Sequence, residues 1–165
     1  MNQQILVDMD SVLADVYSQF IEWEYKELGI KGFKWKTEAL PSCNKHVRSI
    51  GFFRTVPVMP DSIEGLQYLN DKYKVLIVSS ATESPLNLTE KQAWLYKHFS
   101  FIIWEQMIFC GRKDSIKGDI MIDNQPKKLR TFDGKKYIFT QPHNIFISDE
   151  QYDRVSGWKE IMSKL

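Results

Sequence analysis

The stretch ILVDMD, residues 5–10, joins a short apolar run to two aspartates, Asp8 and Asp10. The apolar residues follow one another without alternation, which is typical of a strand covered on both faces of a sheet. Four further runs have this form and are each followed by a small or polar residue: 75–78 (VLIV), 107–109 (MIF), 120–122 (IMI) and 137–139 (YIF). The sequence therefore predicts five parallel strands.

Helical patterns separate these strands. Apolar residues recur at helical spacing along four stretches, 12–29, 61–72, 89–98 and 151–164. A capping box is predicted near Asp61 and a cap at Thr89. Strands that alternate with helices indicate an α/β fold with right-handed crossovers, so we expect a Rossmann-like parallel sheet.

One gap is too long for a simple crossover. About 65 residues separate the first two predicted strands, and the middle of this gap has no clear strand pattern. We therefore predict an α/β core formed by residues 1–15 and 71–165, with residues 16–70 inserted after the first strand as a small helical cap.

Composition excludes several classes of protein. The 165 residues carry 22 Lys plus Arg against 21 Asp plus Glu, a net charge of +1, which argues against a nucleic-acid polymer or a membrane surface as partner. No apolar run reaches the roughly 20 residues that span a bilayer. The two cysteines lack the spacing of a disulfide framework or a zinc site. These features predict a cytoplasmic protein.

Polar side chains follow four of the predicted strands. In an open α/β sheet, ligands bind at the carboxyl ends of the strands, so we expect these side chains to converge. Carboxylates are ligands that Mg²⁺ prefers, while hydroxyls and an ammonium group can hold phosphate oxygens. The pattern predicts a phosphate-handling site built from Asp8, Asp10, Ser79, Ser80, Lys113 and Asp123.

Motifs at these positions resemble those of a known superfamily. Residues 8–15 (DMDSVLAD) resemble motif I of the haloacid dehalogenase superfamily and, within it, of the 5'(3')-deoxyribonucleotidases. Residues 78–80 (VSS), 109–113 (FCGRK) and 118–124 (GDIMIDN) resemble motifs II, III and IV, in the same order. The resemblance implies a haloacid dehalogenase-like core, a cap that closes over the substrate, and Mg²⁺-dependent phosphomonoesterase activity.

The same resemblance implies roles for the carboxylates. Asp8 would be the nucleophile and a metal ligand, forming an aspartyl-phosphate. Asp10 would be the general acid/base and would offer its backbone carbonyl to the metal. Asp123 would complete or support the metal site. Asn124 stands where many relatives carry a second Asp, so either Asp123 or Asn124 is the direct ligand.

The resemblance also implies the substrate-binding residues. Ser79 would hold the transferring phosphate, with Ser80 beside it, and Lys113 would stabilise negative charge. Lys113 is preferred to Lys117 because it lies ten residues before Asp123. We leave His143 out of the site, since a loop histidine is more often structural.

Two departures from the closest motif bear on specificity. Ser11 stands where that motif has Gly, a change we expect to be harmless. Val16 stands where related nucleotidases carry an aromatic residue that stacks on the base. The remaining candidates for a stacking surface are Tyr17, Trp35, Phe52 and Phe53.

The expected partner is a small phosphate ester, led by deoxynucleoside monophosphates. Two alternatives remain open: a phosphatase of the same superfamily that acts on another small metabolite, and a non-catalytic member that binds a phosphorylated ligand. Val16 keeps the first alternative open, and Asn124 gives some support to the second.

Overall fold

The computed structural model describes residues 3–29, 43–82, 84–148 and 150–165. Within them the chain forms six strands: β1 (Gln4–Val7), β2 (Lys74–Ser79), β3 (Met107–Phe109), β4 (Ile120–Asp123), β5 (Lys135–Phe139) and β6 (Asp153–Val155). The five strands predicted from apolar runs are confirmed. The sixth was not predicted, because two of the three residues of β6 are charged and no apolar run marks it.

The six strands pair in parallel in the order β3-β2-β1-β4-β5-β6. This confirms the predicted Rossmann-like α/β sheet. The chain first builds outward from β1 through β2 to β3, and then continues on the other side of β1 with β4. The carboxyl end of β1 is therefore the point where the strand order reverses, which is where open α/β sheets bind their ligands.

The described residues also form six α-helices. They are α1 (Val16–Leu28), α2 (Cys43–His46), α3 (Ser62–Lys72), α4 (Pro85–His98), α5 (Pro126–Arg130) and α6 (Trp158–Lys164). Among the residues described, no helix has the length and apolar character needed to cross a membrane.

Two helix boundaries differ from the prediction because of local turns. The predicted helix at 12–29 begins only at Val16, since residues 9–14 fold into tight turns whose backbone N–H groups bond to the Met9 carbonyl. Asp15 caps this helix by accepting a 3.0 Å hydrogen bond from Ser18 N. The helix predicted over 151–164 is wrong in its first part, where β6 precedes α6.

The predicted caps also need correction. Asp61 precedes α3 but makes no side-chain cap hydrogen bond; its φ of 60° is left-handed. Thr89 lies inside α4, which begins at Pro85, a residue suited to a first turn because it lacks an N–H group.

The core forms on both faces of the sheet because side chains alternate along each strand. Ile5 and Val7 of β1 belong to the larger apolar cluster, whereas Leu6 belongs to a smaller cluster on the opposite face. Burial on both faces explains why the strands read as continuous apolar runs.

The described part of the predicted cap contains α1, α2 and a 3-10 turn at Phe53–Thr55. Phe52 lies at its centre and packs against Trp23 and His46. The predicted boundary at 70/71 falls within α3, which packs against α6 of the core: Gly65 faces Trp158. The division into core and cap stays a prediction.

Candidate active site

The loop after β1 places two aspartates at the centre of the sheet edge. Asp8 is 6% exposed, and its Oδ1 accepts a 2.8 Å hydrogen bond from Met9 N. Ser11 has a left-handed φ of 60°, a conformation that Gly adopts without penalty. Gln141 Nε2 donates to the Ser11 carbonyl at 2.7 Å, so the segment after β5 helps to hold this loop.

Lys113 joins Asp8 to Asp123. Its Nζ lies 2.6 Å from Asp8 Oδ1 and 2.7 Å from Asp123 Oδ2. All three side chains are almost fully buried, whereas Lys117 is exposed. Asp123 is held further by Gln125 N, which donates to its Oδ1 at 2.8 Å. Among the described residues, both side-chain contacts of Asp8 use Oδ1, so Oδ2 is the oxygen left to meet a ligand.

Asp8 and Lys113 shift each other's pKa in opposite directions. Burial and the negative charge of Asp123 raise the pKa of Asp8 from its ordinary 3.8 to about 7; Lys113 acts in the opposite direction, and Asp10 adds to the rise. Burial alone would lower the pKa of Lys113, but Asp8 and Asp123 hold it well above its ordinary 10.5. Lys113 therefore stays charged, and a further cation near Asp8 would favour the ionised form of the Asp8 carboxylate.

A second buried lysine, which the sequence analysis did not identify, lies on the other side of the site. Lys91 of α4 is 1% exposed, and its Nζ donates to Asp10 Oδ2 at 2.6 Å and to Ser79 Oγ at 3.0 Å. The same ammonium group lies 4.3 Å from the centroid of the Phe53 ring, a cation–π contact. Lys91 thus bridges the ends of β1 and β2.

The helical pattern of α4 could have identified Lys91 as a buried lysine. The buried residues of α4 are Glu90, Lys91, Trp94 and Leu95, so Lys91 occupies a position of the inward helical stripe that is normally apolar. A lysine at such a position needs a charged or polar partner, because an unpaired buried ammonium group is costly.

The oxygen atoms of the site suit a magnesium ion. Within the described residues, no hydrogen bond is made to the Asp10 carbonyl, and none is made to the side-chain amide of Asn124. These two groups and the Asp8 carboxylate are hard oxygen donors that follow the adjacent strands β1 and β4. The described residues contain no cluster of three or more His, Cys, Asp or Glu side chains of the kind that holds a metal alone. Mg²⁺ needs fewer protein ligands than such a cluster provides, since it keeps several waters and binds substrate phosphate.

The structure brings most of the predicted site residues together. Asp8, Asp10, Ser79, Lys113 and Asp123 meet at the carboxyl edge of the sheet. The sixth, Ser80, is exposed just beyond the end of β2.

The candidate stacking residues are placed differently from one another. Phe52 is fully buried within the predicted cap, Phe53 lies against Lys91, and Tyr17 stacks on His143. Trp35 lies outside the described residues. Val16 is buried in the main core cluster at 7% exposure.

Comparisons with solved structures identify the fold. A haloacid dehalogenase-like hydrolase from Streptococcus pneumoniae matches with a TM-score of 0.61 at 14% identity, covering 99% of this chain and 98% of that one. A haloacid dehalogenase-type hydrolase from Bacillus subtilis, bound to magnesium, also gives 0.61, at 10% identity and the same coverage.

Comparisons of sequence are more specific. The chain is 36% identical to a putative 5'(3')-deoxyribonucleotidase of Staphylococcus epidermidis, over 96% of this chain and 93% of that protein. It is 35% identical to the 5'(3')-deoxyribonucleotidase of Bacillus subtilis, over 100% and 99%. The model of the family described as 5' nucleotidase, deoxy (pyrimidine), cytosolic type C protein matches residues 2–165. With its haloacid dehalogenase-like sheet, the chain belongs to this nucleotidase family of phosphoric monoester hydrolases.

Proposed function

We propose that the protein is a Mg²⁺-dependent 5'(3')-deoxyribonucleotidase that hydrolyses deoxynucleoside monophosphates to nucleoside and inorganic phosphate. The observation that carries the proposal is the pair Asp8 and Asp10 at the end of β1, flanked by buried Lys113 and Lys91. Two carboxylates between two ammonium groups provide a nucleophile, an acid/base and charge stabilisation in one place. We expect this activity in the cytoplasm.

The first step forms an aspartyl-phosphate on Asp8. Asp8 Oδ2 attacks phosphorus, the bond between phosphorus and the ester oxygen breaks, and Asp10 gives its proton to the departing alkoxide. Asp8 Oδ1 stays bonded to Met9 N and Lys113, so the carboxylate is held with its other oxygen toward the substrate. The nucleoside leaves as a neutral alcohol.

The second step returns the enzyme to its starting state. Asp10, now a carboxylate, removes a proton from water, and the water oxygen attacks phosphorus. The bond between phosphorus and Asp8 breaks, inorganic phosphate leaves, and Asp10 keeps the proton for the next cycle. One water is consumed for each ester bond broken.

The lysines and Ser79 stabilise the transferring group. Lys91 Nζ lies 3.0 Å from Ser79 Oγ and 2.6 Å from Asp10 Oδ2, so we assign Lys91 and Ser79 to the phosphate oxygens. Asp8, the Asp10 carbonyl and Asp123 or Asn124 would hold the Mg²⁺ ion. When bound, the ion neutralises developing negative charge on the phosphate oxygens.

The nucleotide substrate is proposed from the relatives, because proteins named deoxyribonucleotidase are 35–36% identical over nearly the whole chain. Val16 is buried in the core and therefore cannot stack on a base. This observation favours one alternative, a phosphatase that acts on another small metabolite.

The test is phosphate release from 5'- and 3'-deoxynucleoside monophosphates, ribonucleotides and sugar phosphates, with Mg²⁺ and with EDTA. We expect Mg²⁺-dependent release led by deoxynucleotides. Release led by sugar phosphates would keep the mechanism and overturn the substrate. A folded protein that binds Mg²⁺ or phosphate but releases nothing would favour the non-catalytic alternative, and activity unaffected by EDTA would overturn the metal requirement.

A further inference from the structure

His143, in the loop after β5, forms hydrogen bonds to two other parts of the molecule. Its Nε2 lies 2.9 Å from the backbone carbonyl oxygen of Asn124, directly after β4. Its Nδ1 lies 2.5 Å from the hydroxyl of Tyr17, in the first turn of α1. The two rings are also stacked, with centroids 6.0 Å apart and planes 17° from parallel. One side chain therefore connects the start of the predicted cap with the loop beside the proposed metal.

The hydrogen-bond partners fix the tautomer of His143. A carbonyl oxygen can only accept, so Nε2 must carry the proton that it donates to Asn124. In a neutral ring Nδ1 is then an acceptor, and the hydroxyl of Tyr17 must donate to it. The chain of donors runs in one direction, from Tyr17 through His143 to Asn124.

The Asn124 carbonyl receives a second hydrogen bond. Asn144 Nδ2 donates to it at 2.8 Å and also to the Phe139 carbonyl at 2.9 Å. Arg154 holds Asn144 in turn, donating to its Oδ1 at 3.1 Å. With both lone pairs of the Asn124 carbonyl occupied, only the side-chain amide of Asn124 is left to face a cation.

We propose that His143 is a positioning residue for the metal site. It fixes the Asn124 backbone, and through it the direction of the Asp123 carboxylate and Asn124 amide, and it ties that loop to the first helix of the cap through Tyr17. The inference rests on the proposed Mg²⁺-dependent function. Loss of a partner that orients a metal ligand typically lowers metal affinity or activity about 10–100-fold.

The test is Mg²⁺ binding by calorimetry to the free protein, without substrate. We expect His143→Leu to weaken Mg²⁺ binding about 10-fold, the lower end of the range for loss of a ligand's partner. His143→Gln should recover most of the affinity, because its amide can donate to Asn124 and accept from Tyr17. Tyr17→Phe keeps the ring but loses the donor, so a smaller loss is expected. Phe146→Ala, at an 82% exposed position of the same loop, is the matched control.

Three outcomes overturn the inference. Wild-type affinity in His143→Leu would show that the loop needs no such support. Equal losses in His143→Leu, His143→Gln and Phe146→Ala would show a general effect of the loop. An imidazole ¹⁵N spectrum of the metal-free protein that places the His143 proton on Nδ1 would break the chain of donors. These outcomes differ from a failure of the proposed function itself. In that case the wild type would bind no Mg²⁺ or would show no Mg²⁺-dependent phosphate release.

Discussion

Lys91 and Asp10 form a 2.6 Å ion pair that joins the helix α4 to the loop after β1. The contact uses Oδ2 of Asp10. The other oxygen, Oδ1, is buried and has no hydrogen-bond partner among the residues that the structure describes. A buried carboxylate oxygen without a partner is costly unless a ligand meets it. In the proposed reaction, Oδ1 is the oxygen that exchanges a proton with the ester oxygen and with water.

Lys91→Met is expected to lower kcat/KM by about 10²–10³-fold, the usual effect of removing one group that stabilises charge in the transition state. The substitution keeps a long, unbranched side chain but removes the ammonium group, and with it the donor to Asp10 and Ser79 and the cation–π contact with Phe53. The measurement is steady-state kinetics on the phosphate ester that the wild type hydrolyses best. Inhibition by inorganic phosphate gives the phosphate affinity of each variant.

Lys97→Met is the matched control for Lys91→Met, because Lys97 is an exposed lysine of the same helix. It should leave kcat/KM unchanged. If Lys91→Met retained wild-type turnover and phosphate affinity, Lys91 would have only a structural role.

Asp8→Asn should abolish turnover and preserve the fold, whereas Asp10→Asn should lower the rate by on the order of 10²–10⁴. In the proposed mechanism only Asp8 forms the covalent intermediate, so no other group would replace it. Phosphate release and circular dichroism of both variants are the measurements. Turnover by Asp8→Asn would require another nucleophile.

Asp8 also predicts how the stability of the metal-free protein depends on pH. The pKa of Asp8 in the folded protein, about 7, lies above the value of about 3.9 in an unfolded chain. The stability that this group contributes is present below about pH 4 and is lost as the pH rises toward 7. Metal-free Asp8→Asn should therefore melt no lower than the wild type at about pH 8 and show a shallower pH dependence; a clearly lower melting temperature would contradict this assignment.

Five of the six described strands could be predicted, because a parallel strand that is buried on both faces appears as an unbroken apolar run. The site residues on those strands followed from the same pattern, since strand ends converge at one edge. Asp8 directly follows the end of β1, and Asp123 is the last residue of β4. The sequence alone therefore located the edge of the sheet where the structure brings Asp8, Asp123 and Lys113 together.

Lys91 and His143 could not be placed in this way, because neither belongs to a strand end. Lys91 reaches the site from a helix, so its role depends on how α4 is oriented over the sheet. His143 lies in a loop whose path is set by tertiary contacts with Arg154 and Asn124. Strand β6 was missed for a related reason: its pairing with β5 depends on long-range geometry rather than on an apolar run.

Gly65→Ala should destabilise the protein by about 1–3 kcal/mol, the usual cost of overpacking a core. A Cβ at Gly65 would lie 2.4 Å from Cε3 of the Trp158 ring. The ring cannot easily move away, because Trp158 is buried and its Nε1 donates to the Val12 carbonyl at 2.7 Å. Thermal melting measures the effect. If the clash is the cause, Gly65→Ala should lower the melting temperature less in a Trp158→Leu background than in the wild type. An unchanged or higher melting temperature of Gly65→Ala would show that α3 and α6 separate at little cost.

Cys110 should react slowly with an aromatic disulfide reagent at about pH 8, and its rate should keep rising above the ordinary thiol pKa. Burial raises the pKa of the Cys110 thiol above its ordinary 9.0, although Lys113 and Lys128 act in the opposite direction. The thiolate is the reactive form, so a raised pKa leaves little of it near neutral pH. The reaction rate is measured in a Cys43→Ser variant, in which Cys110 is the single remaining thiol. The rate of the same variant in its unfolded state is the reference. Equal rates for folded and unfolded protein would contradict the prediction.

Glu90→Gln should raise KM for the substrate more than it lowers kcat. Both Glu90 oxygens accept backbone hydrogen bonds from the segment that carries Phe53: Oε1 from Gly51 N at 2.5 Å and Oε2 from Phe53 N at 3.1 Å. Gln offers only one acceptor and turns its NH₂ group toward the other N–H, so one buried donor loses its partner at a cost of about 1–3 kcal/mol. The segment would then loosen beside Lys91, while Asp8 and Asp10 keep their own contacts.

Glu64→Gln, at an exposed position of α3, is the control for Glu90→Gln and should change neither KM nor the melting temperature. Steady-state kinetics and thermal melting of the two variants give the comparison. A fall in kcat at constant KM would mean that Glu90 acts on the reacting groups through Lys91, its neighbour in the chain. An unchanged KM and melting temperature would show that the segment at 51–53 is held without Glu90, because Gln19 also binds it by donating from Nε2 to the Phe52 carbonyl at 2.7 Å.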